Sequence, residues 1–337
     1  PLRDFAVELA RDHALEELRN SAQDLASADG DRVLRARRRN ERLLHRLAPG
    51  RSGSLPAVRN KDGEIRSDAA GMVHPLRAHW QDVFRKRGID QVTLDAWIRE
   101  GQGLRPAPEH PCDDLRLRQL RPRHILKAIE QTKNTSPGPD GIPFSAWKRL
   151  KKLAVPVLFE AFTELTGEDG AERTADLFDT FNESLLFFLP KKAPCKSEIG
   201  EEFFEPEGVR PLNVTNTDNR LLASAVRLLI EPLVAKFISP SQRGFIAGRS
   251  MIANLVDVDE AMAHHALDGN DAGAIFFDFA AAFPSVEHDF LNSLFASLGW
   301  PQWLLRFIRT LYTNNTCEIV IGGERHDQAK RRHFGSL

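Results

Sequence analysis

No run in this 337-residue chain approaches the roughly 18 apolar residues that a membrane span needs. Nothing at its start has the layout of a secretory signal. Cysteine is scarce: Cys112, Cys195 and Cys317 are far apart and odd in number. That excludes a disulfide framework and points to a reducing, intracellular setting, cytoplasm or nucleus. Charge of one sign is missing too. Lys and Arg number 46 against 47 Asp and Glu, for a net charge of -1, so no chain-wide basic field advertises a polyanionic partner. There is no internal repeat. Partners have to be read from local features.

The 42% hydrophobic content can build cores for two or three domain-sized units. The first residue is Pro1, as in a fragment. Residues 1–53 read as a helical, basic region. Leu2, Phe5, Leu9, Leu15, Leu18, Ala22 and Leu25 recur at helical spacing, and a second helix over 31–48 stops at Pro49-Gly50. Residues 32–51 hold eight arginines, Arg35, Arg38 and Arg39 among them, against Glu41, a local +7. Such a face follows a phosphate backbone or is simply solvated. Residues 54–121 read as a hairpin turning at Asn60-Lys61-Asp62-Gly63, then a helix capped by Ser67 or Asp68, then a linker over 88–121 punctuated by Gly101, Gly103, Pro106, Pro108 and Pro111. That helix carries Val73, Leu76, Trp80 and Phe84.

From residue 122 the pattern is mixed. A helix is expected over 122–132, with Ile125, Leu126 and Ile129 on one face. Residues 136–143 (SPGPDGIP) make a rigid double turn. Trp147, Leu150, Leu153, Val157, Leu158, Phe159 and Phe162 follow as helical core. A strand over 185–189 ends in Pro190-Lys191-Lys192, and a second begins at Val209-Arg210-Pro211-Leu212. Cations on two paired strands clamp a triphosphate, Lys as a point charge and Arg as a fork, or are plain surface. Asn216 or Asp218 caps a helix through Leu221, Leu222, Ala225, Leu228 and Leu229, which Pro232 ends or kinks. In residues 242–250 (QRGFIAGRS), Gly244 and Gly248 admit close backbone approach, and Phe245 stacks on a base or joins a core.

Residues 273–286 (GAIFFDFAAAFPSV) concentrate the chemistry. Ala274, Ile275, Phe276 and Phe277 have the continuous apolar character of a strand buried on both faces, and Asp278 follows directly. An ionised carboxylate there costs several kcal/mol or more unless compensated. A metal ion compensates it; so does a turn towards water or a helix cap. Phe283 lies five residues on, beyond the small run Ala280, Ala281, Ala282, where an aromatic ring closes the space beside a bulky ligand.

Asp278-x4-Phe283, with Val286 and an amphipathic helix after it, resembles the first catalytic motif of the reverse transcriptases of non-LTR (LINE-like) retrotransposons. KNTSPGPDGIP at 133–143, Pro190-Lys191-Lys192 with Arg210-Pro211-Leu212, and QxGFxxGRS at 242–250 resemble strings of the same family. The resemblance runs from about Asn134 to Gly323, with a fainter trace back to Leu55. It implies an α/β (α+β) right-hand polymerase, with the fingers and an incomplete palm in residues 122–337. The implied activity is RNA-directed DNA polymerisation, two-metal nucleotidyl transfer to a DNA 3′ end. RNA template, DNA primer, dNTPs and two Mg2+ ions are the implied partners. Asp278 is then catalytic and, with Phe279, a metal position; Lys191, Lys192 and Arg210 hold the dNTP; Phe283 excludes a ribose 2′-hydroxyl. Gln242, Gly244, Phe245, Gly248 and Arg249 line the template track, with Arg35, Arg38 and Arg39 as further nucleic-acid contacts. Pro284 stands where many members have Asp.

Two ions about 4 Å apart need several carboxylates. The sequence has no aromatic-x-Asp-Asp hairpin after Asp278 and no Gly-x-x-Gln-Gly stretch after Gly322-Gly323. Residues 324–337 read instead as a basic segment without sheet patterning. The expectation is a fragment cut inside the palm and inactive alone, its Asp278 strand antiparallel to a neighbour with helices on one face. A non-catalytic nucleic-acid-binding relic, or an unrelated Mg-dependent phosphoryl-transfer enzyme using Asp278, are the alternatives.

Overall fold

The computed structural model describes residues 55–85, 88–100, 119–168, 180–235, 238–269, 273–279, 282–283 and 285–328. The basic region of residues 1–53, including Arg35, Arg38 and Arg39, lies outside them.

The Asn60 turn forms as expected. Its side-chain oxygen accepts from the N–H groups of Asp62 and Glu64 at 3.0 and 2.9 Å, and Gly63 takes φ +86°. The turn joins β1 (Val58–Arg59) to β2 (Ile65–Arg66). Asp68 caps α1 (Ala69–Val83) by accepting from Gly71 N at 2.6 Å, and Met72, Val73, Leu76 and Trp80 form its buried face. The linker expected over 88–121 is corrected at its start, where α2 (Gln91–Glu100) is helical. The Asp90 carboxylate accepts from Val92 N and Thr93 Oγ1, capping α2. Leu94 is buried, and the Trp97 ring lies 5.9 Å from Phe290. Every Gly and Pro that suggested a linker falls after residue 100, so nothing opposes the helix before it.

The helices α3 (Pro122–Gln131), α4 (Phe144–Arg149) and α5 (Lys151–Leu165) follow, with Pro122 opening α3 as expected. Helix α5 buries Ala154, Leu158, Phe162 and Leu165. Leu150, Leu153 and Val157, expected in the core, are instead 57, 69 and 60% exposed. They occupy the flank of a helix whose buried stripe is centred elsewhere.

Strand β3 (Glu183–Pro190) is followed by the short pair β4 (Cys195–Lys196) and β5 (Glu202–Phe203), then β6 (Val209–Thr215) and α6 (Thr217–Val234). Beyond them come α7 (Ile252–Leu267), α8 (His288–Ser297), α9 (Gln302–Leu311), β7 (Thr316–Ile321) and β8 (Glu324–Gln328). The main sheet runs β6-β3-β7-β8, with β3 antiparallel to β6 and parallel to β7. Pro211, which donates nothing to a ladder, is accommodated because β6 is an edge. Leu186, Phe188, Val209, Cys317, Ile319 and Ile321 pack one sheet face on α1. A second core lies among α3, α5, α6 and α9, around Ile125, Ile129, Phe162, Leu221, Leu222 and Phe307. The chain is thus a mixed α/β structure, as expected.

Two further expectations fail. Residues 324–328 are a strand, because Gly322 and Gly323, at φ +64° and +86°, reverse the chain onto β7. An edge strand needs no apolar alternation. The buried Asp278 strand is absent: residues 273–279 have no regular structure, and Ile275, Phe276 and Phe277 are 79, 79 and 87% exposed. A strand buried on both faces needs ladder partners, and this segment belongs to none of the described sheets. Helix α7 likewise buries none of its residues.

Buried amides tie the cores together. Asn182 Nδ2 donates to the carbonyls of Thr310 and Thr313, both at 2.7 Å. Asn219 Nδ2 donates to Phe181 O at 3.1 Å and Asn182 Oδ1 at 2.9 Å. Replacing Asn219 by Ala strips two buried acceptors of their donor, which costs roughly 2 kcal/mol. The urea midpoint of N219A is expected to fall at unchanged m value.

Candidate nucleotide-binding site

The β3–β6 ladder carries the cations. Leu189 stands opposite Arg210, Pro190 opposite Val209, and Lys191 N donates to Gly208 O at 2.9 Å. The strands expected to pair do so, and they bring Lys191, Lys192 and Arg210 to one end of a hairpin, all exposed. Lys191 Nζ donates to Glu207 O at 2.7 Å and lies 5.6 Å from the Trp80 ring centroid. Helix α1 therefore supports the cationic end from below, a contact no local pattern announced. Arg59 is ion-paired with Glu205, and Arg59 N donates to Phe204 O at 3.0 Å, fastening the β1–β2 hairpin to the same loop.

The turn at 136–143 is held by the first turn of α6. Asn216 sits at the N-cap position without a capping side-chain bond. Its Oδ1 accepts from Asp140 N at 3.1 Å, and its Nδ2 donates to Thr180 O at 3.0 Å. Thr217 Oγ1 donates to Ile142 O at 2.8 Å and accepts from Trp147 Nε1 at 2.7 Å. Arg220 donates to Ser136 O at 2.6 Å, and Arg325 of β8 donates to Pro139 O at 3.1 Å. Gly138 is obligatory here, since a Cβ would collide with Asn216. The family-like string at 133–143 and the first turn of α6 are thus one assembly. Burial pushes the Asp218 carboxyl up to about 6, and the Asp140 charge adds to the shift while the Asn219 N–H opposes it. Asp140 is raised as well, chiefly by burial.

The remaining predicted residues cluster elsewhere. Asp278 and Phe279 lie in the exposed 273–279 segment. Phe245 takes φ +62° and is 91% exposed, and its ring meets Phe283 edge-on at 6.0 Å. Gly248 has φ +79°, and Gln242 Nε2 donates to Gly244 O at 3.1 Å. The Arg249 guanidinium donates to the carbonyls of Ala235, Ile238, Ser239 and Gln242 at 2.6–3.0 Å, so it shapes the loop. Among the described residues, no group of three or more His, Cys, Asp or Glu side chains is placed to hold a metal ion. One carboxylate does not fit a two-ion centre.

Residues 189–336 match the reverse transcriptase (RNA-dependent DNA polymerase) family, a stretch that opens one residue before Pro190-Lys191-Lys192. The "Transposon TX1 uncharacterized 149 kDa protein" of Xenopus laevis is 21% identical over 266 residues, covering 77% of this chain and 19% of that protein. This chain spans about a fifth of that relative's length. The matches identify a reverse transcriptase domain in the chain. Among the described residues no helix is long and apolar enough to cross a membrane.

Asp218 gives a pH test. Its folded value of about 6 lies above the ordinary 3.8, so the folded protein holds the proton more tightly than the unfolded chain. Stability from this group is therefore greatest below pH 3.8 and declines as pH rises through about 6. Asp218→Asn mimics the protonated form. It is expected to stabilise on the order of 2 kcal/mol at pH 7.5 and almost nothing at pH 3.5, read as the difference in urea midpoints.

Proposed function

We propose that the chain is the fingers and first part of the palm of an RNA-directed DNA polymerase, and that Lys191, Lys192 and Arg210 grip the triphosphate of an incoming dNTP. What carries this reading is the β3–β6 pairing, which sets Arg210 opposite Leu189, two residues before Lys191. An ammonium has three donors, and Lys191 gives one to Glu207 O, leaving two for phosphate oxygens. Arg210 adds a planar fork. In this reading Phe245, with its exposed ring, stacks on a template base, and Phe283 beside it excludes a 2′-hydroxyl. Gln242, Gly244, Gly248 and Arg249 give that loop its shape, and the RNA template and DNA primer run past it. Residues 55–84 act as a buttress beneath the hairpin.

The family implies a divalent metal ion, and two Mg2+ ions are the natural pair for this reaction. The described donor set around Asp278 does not fit them, so no step is derived through metal. That donor set also supports a second reading, in which this polypeptide binds nucleic acid without chemistry.

Lys191→Gln combined with Arg210→Gln is expected to weaken dTTP binding, measured calorimetrically, 10- to 100-fold. That is roughly 1.4–3 kcal/mol for two charge-assisted bonds. Unchanged affinity defeats the hairpin assignment. For activity, the purified chain with primer–template, dNTPs and Mg2+ is expected to extend nothing. Incorporation that disappears in D278N favours the catalytic reading over the binding one.

A further inference from the structure

A second basic region lies outside the residues assigned above. Residues 121–152 contain eight Lys and Arg against only Glu130 and Asp140, a net +6 in a chain of net -1. Asp140 is fastened to the N-terminus of α6, its N–H donating to Asn216 Oδ1 at 3.1 Å, and Glu130 is paired with Lys151 at 2.9 Å. The fold gathers the cations. On α3, Arg123 and Lys127 recur on the side opposite the buried Ile125, Ala128 and Ile129. Lys148 Nζ donates to Thr132 O at 2.6 Å, drawing α4 against the end of α3. Arg121, Arg123, Lys127, Lys148, Arg149 and Lys152 are all exposed.

His124 reports on this field. Burial holds its imidazole below the ordinary value, and Arg123, Arg121 and Lys127 push it the same way. Three cations therefore converge on one ring, with no facing carboxylate among its influences.

We propose that this α3–α5 face is a second nucleic-acid contact surface, holding the phosphate backbone of one strand by charge and not by base. The helix α3 is ten residues, about 15 Å, long. One strand of a duplex presents a phosphate every 3.4 Å or so, hence about four along that length. A row of cations at helical spacing complements a linear polyanion better than it does a compact acidic protein. The proposal rests on the polymerase reading only for the presence of nucleic acid. The dNTP hairpin is a different element, and the two can fail separately.

The test uses the full chain and a 20-nucleotide RNA followed by fluorescence anisotropy across a salt series. Arg123, Lys127, Arg149 and Lys152 are each changed to Gln in one variant. None of these side chains is buried, and dTTP affinity is expected to stay at the wild-type value. The slope of log K against log salt is expected to shrink by about 0.7 for each phosphate no longer neutralised, roughly 3 if all four cations act. An unchanged slope overturns the proposal. The wild-type protein gives an independent reading by NMR: bound phosphates offset the three cations, so the His124 pKa is expected to rise on saturation with RNA. A His124 titration that ignores RNA overturns it too. So does tighter binding to phosphatidylserine vesicles than to RNA, which assigns the face to a membrane surface. If K191Q/R210Q leaves dTTP binding intact while the four-Gln variant loses salt dependence, the hairpin assignment falls and this surface stands.

Discussion

A side-chain amide buried away from water must find partners for both its ends, and Asn182 and Asn219 find them in each other and in the chain around them. Their bonds reach Phe181, Thr310 and Thr313. Thr310, itself fully buried, returns a bond to Leu165 O at 3.0 Å. Four segments separated by up to 145 residues in sequence are thereby set against one another. The start of β3, the start of α6 and the end of α9 share one junction, and the 136–143 turn is fixed to it through Asn216 and Thr217. Hydrophobic packing gives these cores their stability. The amides decide which packing is adopted, because a shifted register would leave several acceptors dry.

From that junction the sheet extends in a definite direction. Strand β3 leaves it and ends at Pro190, one residue before Lys191, so the position of the cationic hairpin is inherited from the amides at the opposite end. One face of the sheet is closed by α1. On the other, Leu189 and Leu212 remain 44 and 45% exposed. The hairpin is therefore rigid beneath and open above, the arrangement a ligand-gripping pair of strands needs.

What was readable in the sequence was local. The Asn60 turn, the Asp68 cap, Pro122 at the first turn of α3 and the β3 and β6 strands all follow from residues near one another. Lys191 and Arg210 were also legible as a pair, since their strands were expected to be neighbours. Helix α2 was obscured by the breakers after it, and β8 by its polar composition. The segment at 273–279 taught the opposite lesson. Its apolar run carries the local pattern of a buried strand, yet burial is a property of neighbours, and the described sheets offer it none. The Trp80 contact with Lys191 and the anchoring of the 136–143 turn by Asn216 were invisible for a related reason: each joins residues more than 70 positions apart.

The parallel pairing of β3 with β7 has a consequence in time. Ser184 Oγ bonds Thr316 O across 132 residues of sequence. At a synthesis rate of about 5–20 residues per second, β3 leaves the ribosome some 7 to 26 s before its partner exists. During that interval its β7 edge is unsatisfied, and the apolar residues 274–277 emerge before β7 does. Antiparallel β6 arrives within a few seconds and guards only the other edge. A nascent chain of this protein is therefore most exposed to wrong strand pairing before Thr316 appears, and slower translation over residues 216–315 would lengthen that exposure.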